Sequence, residues 1–205
     1  RRLREIIGSE AEEVRVHTYH GFARSIINEF DDHFSHLSRV KQITEIEKEV
    51  LVREIIKEKR FAKLRPSGDP DFFVSKIIGA ISDAKEEAWM PDMVRSFAMQ
   101  EIERVKQDEE FLSTRGPTKG KLKADALKRI EKCERTIIFA DAYEAYEQRK
   151  KADRKMDFDD LIIELLVSLR KDKLLLQMLQ ERVLYILIDE HQDTNDAQNL
   201  FIRMI

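Results

Sequence analysis

The run Val183-Leu184-Tyr185-Ile186-Leu187-Ile188, followed at once by Asp189-Glu190-His191-Gln192-Asp193-Thr194-Asn195, constrains the fold more than any other stretch of the chain. Six apolar residues in succession, rich in β-branched types, predict a strand buried on both faces, as in a parallel sheet covered by helices. Two carboxylates then fall at the strand's C-terminal end, the edge where open α/β sheets place their ligands. An apolar strand ending in Asp-Glu suits the holding of Mg²⁺ and the preparation of a water for attack on a terminal phosphate. On an extended backbone the two side chains would point to opposite sides. The plain alternative is a buried strand that runs into an acidic turn. The full seven-residue polar run is much rarer than Asp-Glu alone.

The rest of the sequence alternates between two patterns. Leu3, Ile6 and Ile7 share a helical face, with Gly8 as a stop. Val14 to Thr18 alternates with period two and predicts a short strand. Phe22, Ala23, Ile26, Ile27 and Phe30 then repeat at helical spacing. From residue 31 to about 155 the strand signal disappears. Helical faces are read at Ile46, Val50, Leu51 and Ile55, at Phe73, Ile77, Ile78 and Ile81, and at Val94, Phe97, Ala98, Ile102 and Val105. Arg65 to Pro70 is a break, and Ser113 to Lys121 is a loop. Residues 124–155 predict one long helix with Leu127, Ile130, Ile137, Ile138, Ala142 and Tyr146 inward. A helix over 157–169 follows, with Leu161, Ile162, Leu165, Leu166 and Leu169 inward and three aspartates in its first turn. Thr194 or Asn195 can cap a final helix whose apolar stripe is Ala197, Leu200, Phe201 and Met204.

Several of these segments together resemble the motifs of a known family. Leu187 to Asn195, with Gln198 three residues on, resembles motif II of the UvrD/Rep/PcrA helicases of superfamily one. Thr18-Tyr19-His20-Gly21-Phe22-Ala23 resembles their Thr-Phe-His-Ser-Phe DNA-contact motif, with Tyr19 in place of Phe and Gly21 in place of Ser. Asp157-Phe158-Asp159-Asp160-Leu161 resembles the Asp-Phe-Asp-Asp-Leu segment that precedes motif II, and Arg1 to Ile7 the helix after motif Ia.

The resemblance implies a mainly α chain with a small α/β part. Residues 1–30 and 156–205 would form part of a RecA-like parallel sheet of the P-loop NTPase type, and 31–155 an all-helical insertion. It implies ATP and Mg²⁺ as cofactors of the full-length protein. Asp189 would hold the metal, Glu190 would act as general base, and Gln192 and Gln198 would sense the terminal phosphate or link it to the DNA contacts. Single-stranded DNA and its junctions with duplex would be the partners, met by Thr18, Tyr19, His20 and Phe158. Rings can stack on unpaired bases, and hydroxyls can bind phosphate oxygens.

Two further features bear on function. Arg115, Lys119, Lys121 and Lys123 form an acid-free stretch around two glycines, suited to sequence-independent phosphate contact. A second basic cluster comprises Arg149, Lys150, Lys151, Arg154 and Lys155. Net charge is −3, which gives no global nucleic-acid signal. The five histidines and single cysteine have no zinc spacing. Cys133 alone forms no disulfide within the chain, which fits a reducing cytoplasm, and no apolar run is long enough to span a membrane.

No Gly-x-x-x-x-Gly-Lys-Ser/Thr occurs in the 205 residues. The resemblance places that phosphate-cradling loop upstream of Arg1, so the chain is expected to be a fragment that is inactive alone. The alternative reading is a standalone helical DNA-binding or adaptor module with a vestigial ATPase motif.

Overall fold

Helices dominate the computed structural model, which describes residues 2–12, 14–114 and 119–205. Chain contacts define two units: Arg39–Asp160, and Arg1–Ser38 together with Leu161–Ile205. The division falls later at each end than the sequence pattern places it. In particular, the 3₁₀ segment Asp31–Leu37 goes with the discontinuous unit.

The continuous unit is built on α6 (Ala124–Ala152), a helix of 29 residues. Against it pack α3 (Glu45–Ile56), α4 (Val74–Glu86) and α5 (Pro91–Gln107). Helices α5 and α6 run antiparallel: Arg95 pairs with Asp141 and Glu144 near one end, and Glu101 with Arg129 near the other. The core joins Val52, Ile55, Ile56, Phe61, Val74, Ile77 and Ile81 to Tyr143 and Tyr146 of α6. Several residues read as inward from sequence lie exposed: Ile46, Val50, Phe97 and Leu127. Each sits on the flank of its helix, where the 3.6-residue period places it beside the buried stripe without bringing it under a neighbour.

The chain enters and leaves this unit through a two-residue parallel pair, β1 (Lys41–Gln42) and β2 (Lys155–Met156), with Lys41 opposite Lys155 and Gln42 opposite Met156. The start of α3 is tied to the same place. Thr44 and Glu47 form a capping box, and Glu47 also receives Lys155 Nζ at 2.9 Å. The Thr44 N–H, then Lys155, hold the Glu47 carboxyl down to about 2.

Beside β2 lies a buried charge cluster. Lys85 of α4 donates to Asp157 at 2.5 Å and to Asp160 at 2.6 Å, and pairs with Glu147 at 2.8 Å. Lys150 of α6 reaches the same three carboxylates, each at 2.8 Å. Asp157 and Asp160 also accept each other's backbone N–H, at 3.0 and 2.6 Å, in the geometry of a helix cap. The Tyr146 hydroxyl adds a longer bond to Asp157. Burial alone would lower the Lys85 ammonium, but the three carboxylates outweigh it and hold it well above its usual range. Burial pushes Asp160 up to about 6, whereas Lys85 and Lys150 together overcome burial at Asp157 and hold it low.

The discontinuous unit contains α1 (Arg2–Ile7), α2 (Tyr19–Glu29), α7 (Asp160–Lys171, whose first residue belongs to the other unit), α8 (Lys173–Arg182) and α9 (Asp196–Met204). Gly8 takes a left-handed φ of 66°, as a helix stop should. All five leucine and isoleucine positions read inward on α7 are buried. Asp172 caps α8 and accepts from His33 at 2.6 Å, while His36 meets Glu164 at 3.1 Å, so the 3₁₀ segment is tied to α7 and α8.

Neither strand expected in this unit has a ladder. Residues 14–18 and 183–188 carry no strand pairing among the described residues, and Leu184, Tyr185 and Leu187 are 79, 92 and 97% exposed. A strand exists through its neighbours' hydrogen bonds, and here no described segment supplies them. The strand expected there, buried on both faces, is therefore not formed among the described residues.

Replacing Lys85 with Met leaves the buried Asp157 and Asp160 and the half-buried Glu147 facing one ammonium. Unfolding in urea should show a loss of about 3–5 kcal/mol at pH 8. A carboxyl whose pKa is raised in the folded state binds its proton there, so the loss should shrink as pH falls toward 5.

Candidate functional site

Val183 leaves α8 with extended geometry, and the chain stays irregular up to the acidic pair. At Glu190 the backbone turns left-handed, with φ 49° and ψ 42°, a conformation rare for a residue with a Cβ. The extended geometry assumed for the pair therefore ends at Asp189, and simple strand alternation does not set the directions of the two carboxylates. The Asp189 side chain folds back to accept the Glu190 N–H at 3.0 Å. A single 3₁₀ turn, His191–Asp193, follows, and Gln192 Nε2 donates to the Glu190 carboxylate. Asp189, Glu190, His191 and Gln192 are all exposed.

The turn is fastened on its far side. Thr194 Oγ1 donates to the His191 carbonyl at 2.7 Å. Asn195 is the cap of α9, accepting the Gln198 N–H at 2.9 Å, and Gln198 Oε1 returns to the Asn195 N–H at 3.4 Å. The Gln198 side chain is thus occupied as the reciprocal half of a capping box. Phe201, fully buried on α9, packs its ring 5.6 Å from Phe22 of α2. That contact sets the helix that begins at the acidic turn against the helix that begins at Thr18.

Thr18 caps α2 by accepting the Gly21 N–H at 3.0 Å. A Cβ on Gly21 would lie 3.1 Å from that hydroxyl oxygen, so a larger residue at 21 would crowd the cap. Tyr19 and His20 form the first turn of α2 and are half-buried. The Tyr19 hydroxyl is buried without a hydrogen-bond partner among the described residues, and burial raises its pKa.

In the helical unit, the acidic segment splits by direction. Asp157 and Asp160 turn into the charge cluster while Phe158 is exposed. Of the two lysines that bind these aspartates, Lys85 was not singled out from sequence and Lys150 was read only as part of a basic cluster, yet a signal for burial was present in both. Lys85 continues the buried series Ile77, Ile81 at intervals of four, and Lys150 continues Tyr143, Tyr146. A lysine on an apolar stripe needs a buried acid.

The described residues on either side of the basic loop pair with each other. Leu112 bridges Leu122, Ser113 N–H donates to Lys121 O at 2.9 Å, and Gly120 takes φ 80°. Lys119, Lys121 and Lys123 are exposed there, with Lys123 Nζ reaching the Glu110 carbonyl at 2.5 Å. Arg115 lies outside the described residues. The second basic cluster is largely engaged: Lys150 is buried, Arg149 pairs with Glu58, and Lys155 pairs with Glu47. Lys150 is therefore removed from any contact with nucleic acid.

The chain is a member of the UvrD/REP helicase N-terminal domain family, which matches residues 1–205. It is 24% identical over 211 residues to the ATP-dependent DNA helicase PcrA of Bacillus subtilis, covering all of this chain and 22% of that protein. PcrA of Staphylococcus aureus is 25% identical over 210 residues, again across the whole chain and 23% of the relative. The ATP-dependent DNA helicase Rep of Salmonella typhimurium is 36% identical over 74 residues, 36% of this chain and 11% of Rep. The chain thus spans less than a quarter of the length of these curated relatives.

Asn195→Ala removes the cap that anchors α9 behind the acidic turn. A loss of about 1 kcal/mol in unfolding free energy is expected by chemical denaturation.

Proposed function

We propose that the full-length protein is an ATP-dependent DNA helicase or translocase acting on single-stranded DNA, and that this chain supplies its motif II and helical insertion. The family match across all 205 residues, with Asp189-Glu190 standing exposed at a structured turn, carries this reading. The discontinuous unit would be part of a RecA-like domain, in which segments 14–18 and 183–188 pair with strands of the same sheet. Their exposed apolar residues support that view, since a strand of this composition needs neighbours.

In this reading Asp189, an exposed oxygen donor, would hold Mg²⁺, which takes carboxylate oxygens and keeps several waters. When bound, Mg²⁺ supplies charge neutralisation at the phosphates of ATP. Glu190 takes the proton of the attacking water. Gln192 orients the Glu190 carboxylate through the hydrogen bond already present, and Gln198 holds the start of α9 behind the turn. Because these residues include no phosphate-cradling loop, the chain by itself is expected not to hydrolyse ATP.

Thr18, Tyr19, His20 and Phe158 would contact the single strand. Phe158 has the exposed face for stacking on a base. Tyr19, with its hydroxyl buried, would act through its ring and through its place in the first turn of α2. Lys119, Lys121 and Lys123, with Arg115, would meet phosphates near the junction with duplex.

In the full-length protein, Glu190→Gln should cut DNA-stimulated ATP hydrolysis by roughly 10²–10⁴-fold while leaving nucleotide binding intact. Hydrolysis at the unaltered rate would end the assignment of the base. Charge reversal of Lys121 and Lys123 to Glu should weaken binding of a single-strand/duplex junction and flatten its dependence on salt. Equal binding at low salt would remove this loop from the DNA track.

A further inference from the structure

Helix α5 has two apolar faces, and α6 covers only one of them. Val94, Ala98 and Val105 are buried, whereas Met93 and Phe97, one turn apart on the neighbouring flank, are 43 and 56% exposed. Trp89 precedes the helix and sets its ring edge-on to Phe97 at 5.5 Å. The position of Trp89 is fixed by the end of α4. Ala88 N–H returns to Lys85 O at 2.9 Å and Trp89 N–H to Ala84 O at 2.7 Å, a helix-stop arrangement that usually carries glycine at its left-handed position. Here that position is Ala88, at φ 54°. The three side chains therefore form a patch of Trp, Met and Phe, residue types enriched at protein interfaces.

The charges around the patch select what it can receive. Between Ser82 and Met93 the exposed charged residues are all acidic: Asp83, Glu86, Glu87 and Asp92. The only basic residue in that stretch, Lys85, is buried in the charge cluster. Arg95, next along α5, points to the opposite flank and is held by Asp141 and Glu144. A nucleic-acid backbone meets repulsion from Asp83, Glu86 and Asp92 here. A second copy of this chain would bring the same acidic rim against itself. A helix with one apolar face bordered by lysine or arginine satisfies both the patch and its rim.

We propose that the Trp89–Met93–Phe97 patch is a docking site for a basic amphipathic helix of a partner protein, separate from the DNA-contacting residues. The partner's apolar side chains sit on the Trp89 and Phe97 rings, and its cations pair with Asp83, Glu86 and Asp92 at the edge.

The test uses the full-length protein and a fluorescent synthetic helix of roughly 18 residues, with leucine on one face and lysine on the other. A scrambled peptide of the same composition and a single-stranded oligonucleotide serve as comparators. Fluorescence anisotropy should show saturable binding of the amphipathic peptide and much weaker binding of the scrambled one. Phe97→Asp, and separately the pair Asp83→Lys and Glu86→Lys, should each weaken peptide binding by ~10-fold or more, about 1.4 kcal/mol. Oligonucleotide binding should be unchanged by Phe97→Asp. Because Phe97 is exposed, its replacement should leave the fold intact. Met93→Ser, which adds no charge, provides a second variant with the same expected direction. No binding by the unaltered protein, equal binding by Phe97→Asp and Met93→Ser, or displacement of the peptide by the oligonucleotide would each overturn the proposal.

Discussion

Two lysines buried among three carboxylates organise the helical unit. Lys85 comes from α4, Glu147 and Lys150 from α6, and Asp157 and Asp160 from the stretch between β2 and the start of α7. Hydrophobic packing is non-directional, and the apolar residues of these elements could be accommodated in more than one register. A buried ion network tolerates far less freedom, because each charge left unpaired in the interior costs several kcal/mol. The cluster thus fixes where α4 and α6 stand relative to the segment that leaves the unit. Its contribution is better understood as specification of one arrangement than as net stabilisation, since apolar replacements of a whole buried network are often neutral.

Much of this was legible in the sequence, because helices announce themselves locally. The inward series on α4 and α7, the length of α6 and the cap at Asn195 follow from period, branching and cap chemistry within one element. What escaped was information that depends on a second element. Phe97 and Leu127 fit a helical stripe as well as Val94 and Ala98 do, and only the position of the neighbouring helix decides which of them is covered. Asp157 and Asp160 carry the signature of an acidic helix start, which is also correct. Their burial becomes evident only when Lys85 and Lys150 are noticed continuing apolar series on other helices.

The candidate site divides along the same line. The order Asp189, Glu190, Gln192, Asn195, Gln198 was readable, and with it the family to which the chain belongs. The left-handed turn at Glu190 was not, because aspartate and glutamate after an apolar run are compatible with a straight continuation. The run 183–188 shows the strongest contrast. Its composition is that of an interior strand, yet ladder bonds are a property of pairs of segments, and none of the described segments pairs with it. Composition specified what this segment needs without specifying who provides it.

The pairing of Lys41-Gln42 with Lys155-Met156 has a consequence for how such chains diversify. Adjacent strands lie roughly 4.8 Å apart, so the polypeptide departs on a long helical excursion and comes back to the place it left. A segment attached by so narrow a neck can be lengthened, trimmed or exchanged between lineages without displacing the sequence on either side. New surface chemistry, basic at one loop and acidic along a helix, can accumulate on the excursion while the acidic turn at 189–190 keeps its local geometry.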